Sequence, residues 1–266
     1  MPIAQNWLIL LKFDGTRYHG WQIQPNLATI EETVGLAIKR LTGETLAVNG
    51  AGRTDSGVHA LNFTANFKSS TKNFKTPEKW LKAFNAVLPN DIVVKCIKTV
   101  PIEFHARHNA IGKRYRYLIY NLPYKSPFSQ NLSWWISQNL DIKLMREAAQ
   151  ILTGENDFSA FRSADCTSPN PVKNLREILI KKKRLYCSTV QIEFESNSFL
   201  QHMVRIITGT LVDVGLRRIK IENVAEALES GQRKLAGVTA PPHGLYSFKV
   251  IYPKGMIDWP SKVIDN

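Results

Sequence analysis

Three stretches of this chain carry residue types at spacings that could do chemistry. The densest is Gly52-Arg53-Thr54-Asp55-Ser56-Gly57-Val58-His59, where a carboxylate sits between glycines and two residues from an arginine. Glycine lets the backbone bend sharply and lets a ligand come close, so Asp55 can be presented into a cleft as a reacting carboxylate. The plain alternative is a turn whose aspartate bonds its own backbone. The second stretch is Phe199 to Gly209. Leu200, Val204, Ile207 and Leu211 make an apolar helical face, and His202, Arg205 and Gly209 make a separate polar stripe. An arginine one turn into such a helix wants a carboxylate or phosphate; the plain alternative is an arginine facing solvent. The third stretch is Lys113 to Tyr120. Period-two alternation puts Arg114 and Arg116 on one face and Tyr115 and Tyr117 on the other. Rings that stack on bases and arginines that hold phosphates suit RNA, although a strand with one solvated and one core face has the same pattern. His59, His105, His108 and His202 lack metal-ligand spacing, so they read as structural or RNA-contacting and no metal is expected.

Charge points to the same class of partner. Lys and Arg number 35 against 22 Asp and Glu in 266 residues, a net charge of +13, with an isoelectric point near 9.7. Such an excess suits a polyanion, of which nucleic acid is the commonest. A hydrophobic fraction of 44% with 21% charged residues excludes a disordered chain. Cys96, Cys166 and Cys187 are odd in number and far apart. They fit neither a zinc site nor a disulfide framework, so a reducing cytoplasm is expected. The first residues lack the basic-then-apolar pattern of a signal peptide. No apolar run approaches the ~20 residues that span a bilayer, so no membrane partner is expected.

The elements that must position these stretches follow from hydrophobic period. Trp7 to Phe13 is short and almost wholly apolar, a buried strand ended by Asp14-Gly15. Thr29-x-x-Glu32 is a capping box opening a helix whose face is Ile30, Val34, Ile38 and Leu41, with Gly43 as its stop. Leu46 to Val48 is a strand entering the glycine turn, and Leu61 to Phe67 alternates as a half-buried strand. Thr76-Pro77-Glu78 starts a second helix, Pro89 ends it, and Asp91 to Val100 is a strand. That order of strands and helices is ferredoxin-like. The rhythm recurs: a strand over 114–120, a helix capped by Asp141, a hairpin around the basic run Lys181 to Arg184, a long helix over 199–214, a short one over 221–229, and a last strand from Leu245 to Tyr252. Leu41-Thr42-Gly43-Glu44 and Leu152-Thr153-Gly154-Glu155 echo one another, a hint of duplication. The boundary falls near residue 106, giving an N-terminal half over 1–106 with the Asp motif and a C-terminal half over 107–266 with the Tyr strand and the Arg helix.

Taken in order, the motifs resemble those of the tRNA pseudouridine synthase A family. Gly52 to His59 is similar to its catalytic signature, and Asp14-Gly15-Thr16-Arg17-Tyr18-His19-Gly20-Trp21-Gln22 to its N-terminal motif. Phe104-His105-Ala106-Arg107, Arg114-Tyr115-Arg116-Tyr117, Gly154-Glu155-Asn156-Asp157-Phe158, Met203-Val204-Arg205 and Gly244-Leu245-Tyr246 match in order and approximate spacing, across nearly the whole chain. Ser56 stands where alanine is common and Ser247 where leucine often follows; neither change removes a reacting group. The resemblance implies an α+β fold of two ferredoxin-like halves forming a continuous mixed/antiparallel central sheet with flanking helices. It implies a homodimer without a cofactor that isomerises uridine to pseudouridine in the tRNA anticodon stem-loop, at positions conventionally numbered 38, 39 and 40.

By the same resemblance Asp55 is the reacting carboxylate, attacking ribose C1′ or abstracting a sugar proton. Either role needs its charged form, which a neighbouring guanidinium favours, and the resemblance sets Arg205 against Asp55. Tyr115 matches the tyrosine that packs on the target base, which must be flipped out to react. Arg53, His59, Arg114, Arg116 and His202 complete the expected substrate contacts, with Arg53 on the displaced strand or a flanking phosphate. Two rivals predict different outcomes. A catalytically silent tRNA-binding or chaperone module would bind without turnover. A hydrolase with an acid pair would release free uracil.

Overall fold

A computed structural model of the chain describes residues 4–183 and 189–264. Arg184 of the basic run and Cys187 lie outside the described residues. The chain divides into two compact units, Met1–Ile111 with Ser247–Asn266, and Gly112–Tyr246. The division near residue 106 leaves the last twenty residues with the second half. The structure groups them with the first unit, for local reasons. Ile111 N–H donates to Ile251 O at 2.8 Å. The Tyr252 hydroxyl bonds Thr64 Oγ1 at 2.7 Å and Ala106 O at 2.8 Å.

The first unit runs β1 (Gln5–Phe13), α1 (Ile30–Thr42), β2 (Asn49–Gly50), β3 (His59–Ser69), α2 (Pro77–Val87) and β4 (Ile92–Val100). β1 lies between β4 and β3, antiparallel to both, and β2 pairs with β3. This is the ferredoxin-like arrangement expected from the order of elements. Its core is aromatic: Trp80 stacks on Phe84 at 5.4 Å and meets Trp7 and Phe67 edge-on at 5.8 and 5.3 Å.

Three local expectations change. β3 is not half-buried, because Asn62, Thr64 and Asn66 are buried along with Phe63, Ala65 and Phe67. Its polar face is satisfied by specific partners: Asn62 Nδ2 donates to Phe248 O at 3.0 Å and Asn66 Nδ2 to Asn6 Oδ1 at 2.9 Å. The Leu46–Val48 strand is absent, and β2 is only Asn49–Gly50. The capping box at Thr29 does not form. The amides of Ile30 and Glu31 donate instead to Gly20 O and Trp21 O at 3.1 and 3.0 Å. The preceding loop therefore caps α1, and the buried Thr29 hydroxyl has no partner among the described residues.

The second unit begins with β5 (Gly112–Asn121), β6 (Trp134–Ile136), α3 (Ile142–Ile151) and β7 (Gly154–Asp157). β8 (Val172–Lys183), β9 (Thr189–Ser196), α4 (Met203–Gly215) and α5 (Ile221–Ser230) follow. β9 lies between β5 and β8, antiparallel to both, β7 pairs with β8, and the parallel β5–β6 pair makes this sheet mixed. Asp141 caps α3 as expected, its side chain accepting from Leu144 N–H at 3.2 Å. The echo between the two Leu-Thr-Gly-Glu segments is not structural. Gly43 is a left-handed cap of α1, whereas α3 ends at Leu152 in the right-handed region and Gly154 starts β7. β10 (Leu245–Ile251) spans the boundary between the units, and α6 (Ser261–Ile264) is the last helix described. No helix among the described residues is long and apolar enough to cross a membrane.

Candidate active site

The turn that carries Asp55 is built against the 14–22 loop. Gly57 has φ +76° and Gly20 φ +84°, conformations open to glycine at little cost. The Gly57 amide donates to Tyr18 O at 3.1 Å, the Trp21 amide to Thr54 O at 3.3 Å, and the Val58 amide back to Asp55 O at 3.2 Å. A methyl group on Gly15 would lie 2.0 Å from Val58 O, and one on Gly20 2.2 Å from Thr54 O. Two backbones therefore touch directly, which only glycine at both contacts permits. Trp21 anchors the far side of the loop. It is buried against Phe63, ring centroids 4.4 Å apart, and its indole lies where a side chain on Gly50 would be. Asp55 is half-buried, neither sealed in the core nor in open solvent, and Arg53 is exposed.

His59, expected among the substrate contacts, is buried at the base of the turn. It is 1% exposed, and its Nδ1 accepts from the Gly15 amide at 3.0 Å and lies 3.1 Å from Asp14 Oδ1. It fastens the loop to the turn. Burial pushes the Asp14 carboxyl up, but hydrogen bonds from the Thr16 hydroxyl and amide, together with His59, outweigh that and hold it below its ordinary value. Tyr18 donates its hydroxyl to Asp91 Oδ1 at 2.8 Å, and burial with this bond pushes the phenol up to about 12. Asp91 also pairs with Arg17. The N-terminal motif is thus tied at both ends.

In the second unit Tyr115 projects from β5 and meets Phe199 edge-on, ring centroids 5.1 Å apart at 88°. Phe199 and Gln201 precede α4, which starts at Met203. The helix expected over 199–214 is therefore shorter, and His202 stands at its N-cap with φ +60°. The polar stripe does not form as a stripe. Gly209 is packed so tightly that a methyl group there would lie 1.7 Å from Val238 O. Arg205 remains half-buried while every other residue of α4 is buried. Its Nε donates to Ala240 O at 2.8 Å, and the Ala240 amide returns a bond to Arg205 O at 3.1 Å. That pair fixes the plane of the guanidinium. Burial holds the neighbouring Tyr117 phenol well above its usual value; the Arg205 charge opposes this and Tyr246 adds to it.

Arg114 and Arg116, expected to hold phosphate, are engaged by carboxylates one strand away. Arg116 donates Nε and a terminal nitrogen to Glu193 Oε1 at 3.0 and 2.7 Å, and Arg114 donates Nε to Glu195. The register sets both pairs directly opposite each other. Arg53 and Asp55 thus share one turn in the first unit, His59 opens β3 just after it, and Arg114, Tyr115, Arg116, His202 and Arg205 belong to the second. Phe199 and the 237–241 loop were not singled out in the sequence. The ring four residues after Glu195 and the Gly237-Val238-Thr239-Ala240-Pro241 run were the available signals. Among the described residues no group of three His, Cys, Asp or Glu side chains could hold a metal ion.

Comparison with known proteins adds a sequence-wide match. Residues 9–109 and 148–253 match the tRNA pseudouridine synthase family model. The chain is 46% identical over 248 residues to tRNA pseudouridine synthase A of Thermoanaerobacter sp. (strain X514), covering 93% of this chain and all of that protein. It is 42% identical over 248 residues to the protein of that name from Acetivibrio thermocellus, again 93% of this chain and all of that protein. It is 39% identical over 256 residues to the one from Hydrogenovibrio crunogenus, 96% of this chain and 95% of that protein.

Proposed function

The chain belongs to the tRNA pseudouridine synthase family, and from that premise we propose that it isomerises uridine to pseudouridine in the tRNA anticodon stem-loop, at positions 38, 39 and 40, with Asp55 as the reacting carboxylate. The observation that carries the assignment is the clamped turn: Asp55 is half-buried on a backbone that the 14–22 loop touches at Thr54 and Val58. A carboxylate held this way loses little entropy on reaching its reactive position.

The reaction breaks the N1–C1′ bond, turns the uracil, and forms a C5–C1′ bond; C5 gives up its proton and N1 gains one. Asp55 starts it, either by attack on C1′ or by removing a sugar proton, and both routes need the ionised carboxylate. Arg205 serves as its cationic partner, with Nε committed to Ala240 O so that the guanidinium is presented in one orientation. Tyr115, steadied by Phe199, stacks on the flipped uracil and serves the removal of the C5 proton. Arg53 takes a flanking phosphate and His202 contributes at the start of the arginine helix. Arg114 and Arg116 act through their ion pairs, by stiffening the strand under Tyr115. In the same reading the protein works as a homodimer in the cytoplasm.

The test is pseudouridine formation by the purified protein on uridine-containing tRNA. Asp55→Ala and Asp55→Asn should abolish it while tRNA still binds, and turnover near wild type in either would refute the role. Arg205→Ala should slow turnover more than it weakens binding. A silent RNA-binding module would show no turnover in the wild type. A hydrolase would release uracil and change the RNA mass, whereas isomerisation leaves the mass unchanged.

A further inference from the structure

The first unit holds a cleft of about 210 Å³, of whose lining the mechanism above uses only Arg53. Its lining includes Arg53, His105, Arg107, His108, Gln22 and Glu31. Most arginines described so far are matched by a carboxylate: Arg17 by Asp91, Arg114 by Glu195, Arg116 by Glu193. Arg53 and Arg107 differ, since neither guanidinium has a hydrogen-bond partner among the described residues. Glu31, the one acid of the lining, has Oε2 occupied by Gln22 Nε2 and the Ile23 amide, both at 3.1 Å. Two guanidiniums and one carboxylate leave the cleft with a net positive charge.

The 105–109 segment is built to hold its donors still. His105 N–H donates to Asn109 Oδ1 at 2.8 Å, and Asn109 N–H returns to His105 O at 3.1 Å. His105 Nδ1 accepts from the Arg107 amide at 3.1 Å. That bond uses the Nδ1 lone pair, so the ring proton lies on Nε2, available as a donor. The His108 ring lies 4.2 Å from that of His105, centroid to centroid. Burial, His108 and Arg107 all push the His105 imidazole below its ordinary value, consistent with a neutral ring donating from Nε2.

We propose that this cleft is a second RNA contact, a subsite for a backbone phosphate of the substrate strand held by Arg107, His105 and His108, with Arg53 as the link to the Asp55 turn. The proposal rests on the reading of the chain as a tRNA-modifying enzyme, and it assigns a positioning role rather than a chemical one. A phosphate seated here fixes the strand two residues from the reacting carboxylate. Arg107 supplies the paired donors that suit a phosphate, and His105 adds one donor that needs no charge.

The test is the salt dependence of tRNA binding for wild type, Arg107→Gln, Arg107→Lys and His108→Ala. Each lost cationic phosphate contact lowers the slope of log K against log salt by roughly 0.7–0.9. Arg107→Gln should lose about that much, raise KM and leave kcat close to wild type, and Arg107→Lys should restore the slope. A purely structural role would not be rescued by charge alone. Titration with inorganic phosphate, followed by the NMR signals of the His105 and His108 rings, should perturb both in wild type and neither in Arg107→Gln. An unchanged slope in Arg107→Gln, unchanged affinity in His108→Ala, or ring signals indifferent to phosphate, would overturn the subsite. Absence of pseudouridine with the wild-type protein would instead overturn the enzymatic reading, and the binding slopes separate the two failures.

Discussion

Replacing Gly20 by alanine should slow pseudouridine formation about a hundredfold in a chain that still folds. Gly20 sits at φ +84°, and an added methyl carbon would lie 2.2 Å from Thr54 O and 3.1 Å from the Asp55 carbonyl carbon. Left-handed backbone costs an ordinary residue roughly 1–2 kcal/mol. A carbon and a carbonyl oxygen settle no closer than about 3.3 Å, so loop and turn must part by about 1 Å. The Trp21–Thr54 hydrogen bond at 3.3 Å is the first to break, and the displaced segment is the one that carries Asp55. A misplacement of about 1 Å at a reacting group costs on the order of 10²-fold in rate. Gly43→Ala is the matched control: φ is +77°, but no heavy atom among the described residues beyond its own neighbours lies within 4 Å of the added carbon. It carries the same backbone strain without the collision. Single-turnover release of tritium from uridine C5 measures the chemistry, and urea unfolding measures stability. Gly43→Ala should lose about 1–2 kcal/mol, Gly20→Ala should lose more because the collision adds to the strain, and Gly20→Ala alone should lose turnover. Equal rates in the two variants would refute the claim that the 14–22 loop positions the carboxylate.

Four other outcomes are expected. Gly35→Ala, inside α1 with open space around the added carbon, should stabilise the chain by about 1 kcal/mol, read as a higher urea midpoint. Trp80→Ala should cost about 3–5 kcal/mol in the same assay, since the ring is fully buried among Trp7, Phe67 and Phe84. Tyr117→Phe removes the 2.7 Å bond to Pro241 O and should cost about 1–3 kcal/mol by leaving that carbonyl unmatched. Asp14 has a folded-state carboxyl held below its ordinary value despite burial. Its contribution to stability is therefore complete above the ordinary carboxylate value and is lost as pH falls through the lower folded value. Asp14→Asn should flatten the acid limb of urea stability below about pH 4 while changing its slope little near neutrality.

What the sequence made legible was whatever depends on local period. The apolar run of β1, the Thr76-Pro77 start of α2, the Asp141 cap of α3 and the alternation of β5 all survive in the structure. What it hid depends on partners far along the chain. Asn62, Thr64 and Asn66 look solvent-facing until Phe248, Tyr252 and Asn6 are placed beside them. Thr29 reads as a capping residue because Glu32 follows at the right distance, yet the carbonyls of Gly20 and Trp21 reach the helix amides first. β2 and β7 are two and four residues long, too short for any period to show.

The site divides along the same line. Residue type singled out Asp55, Arg205 and Tyr115 as candidates only, each with a plain structural alternative, and their roles came from the family resemblance. Residue type does not reveal the burial of His59, since an imidazole bound to the Gly15 amide is indistinguishable in sequence from one facing RNA. Nor does it reveal the ion pairs of Arg114 and Arg116, because their acids arrive from β9, some eighty positions away. Those pairs bear on how specificity can arise. An arginine already matched by glutamate gains little from a phosphate, since it must give up one partner for another. Arg107, whose guanidinium has no hydrogen-bond partner among the described residues, has no such partner to give up, and Arg53 has only the Glu31 charge nearby. If the proposed subsite holds, the grip on the polyanion is decided less by where arginines occur than by which of them the fold has left without a hydrogen-bonded acid.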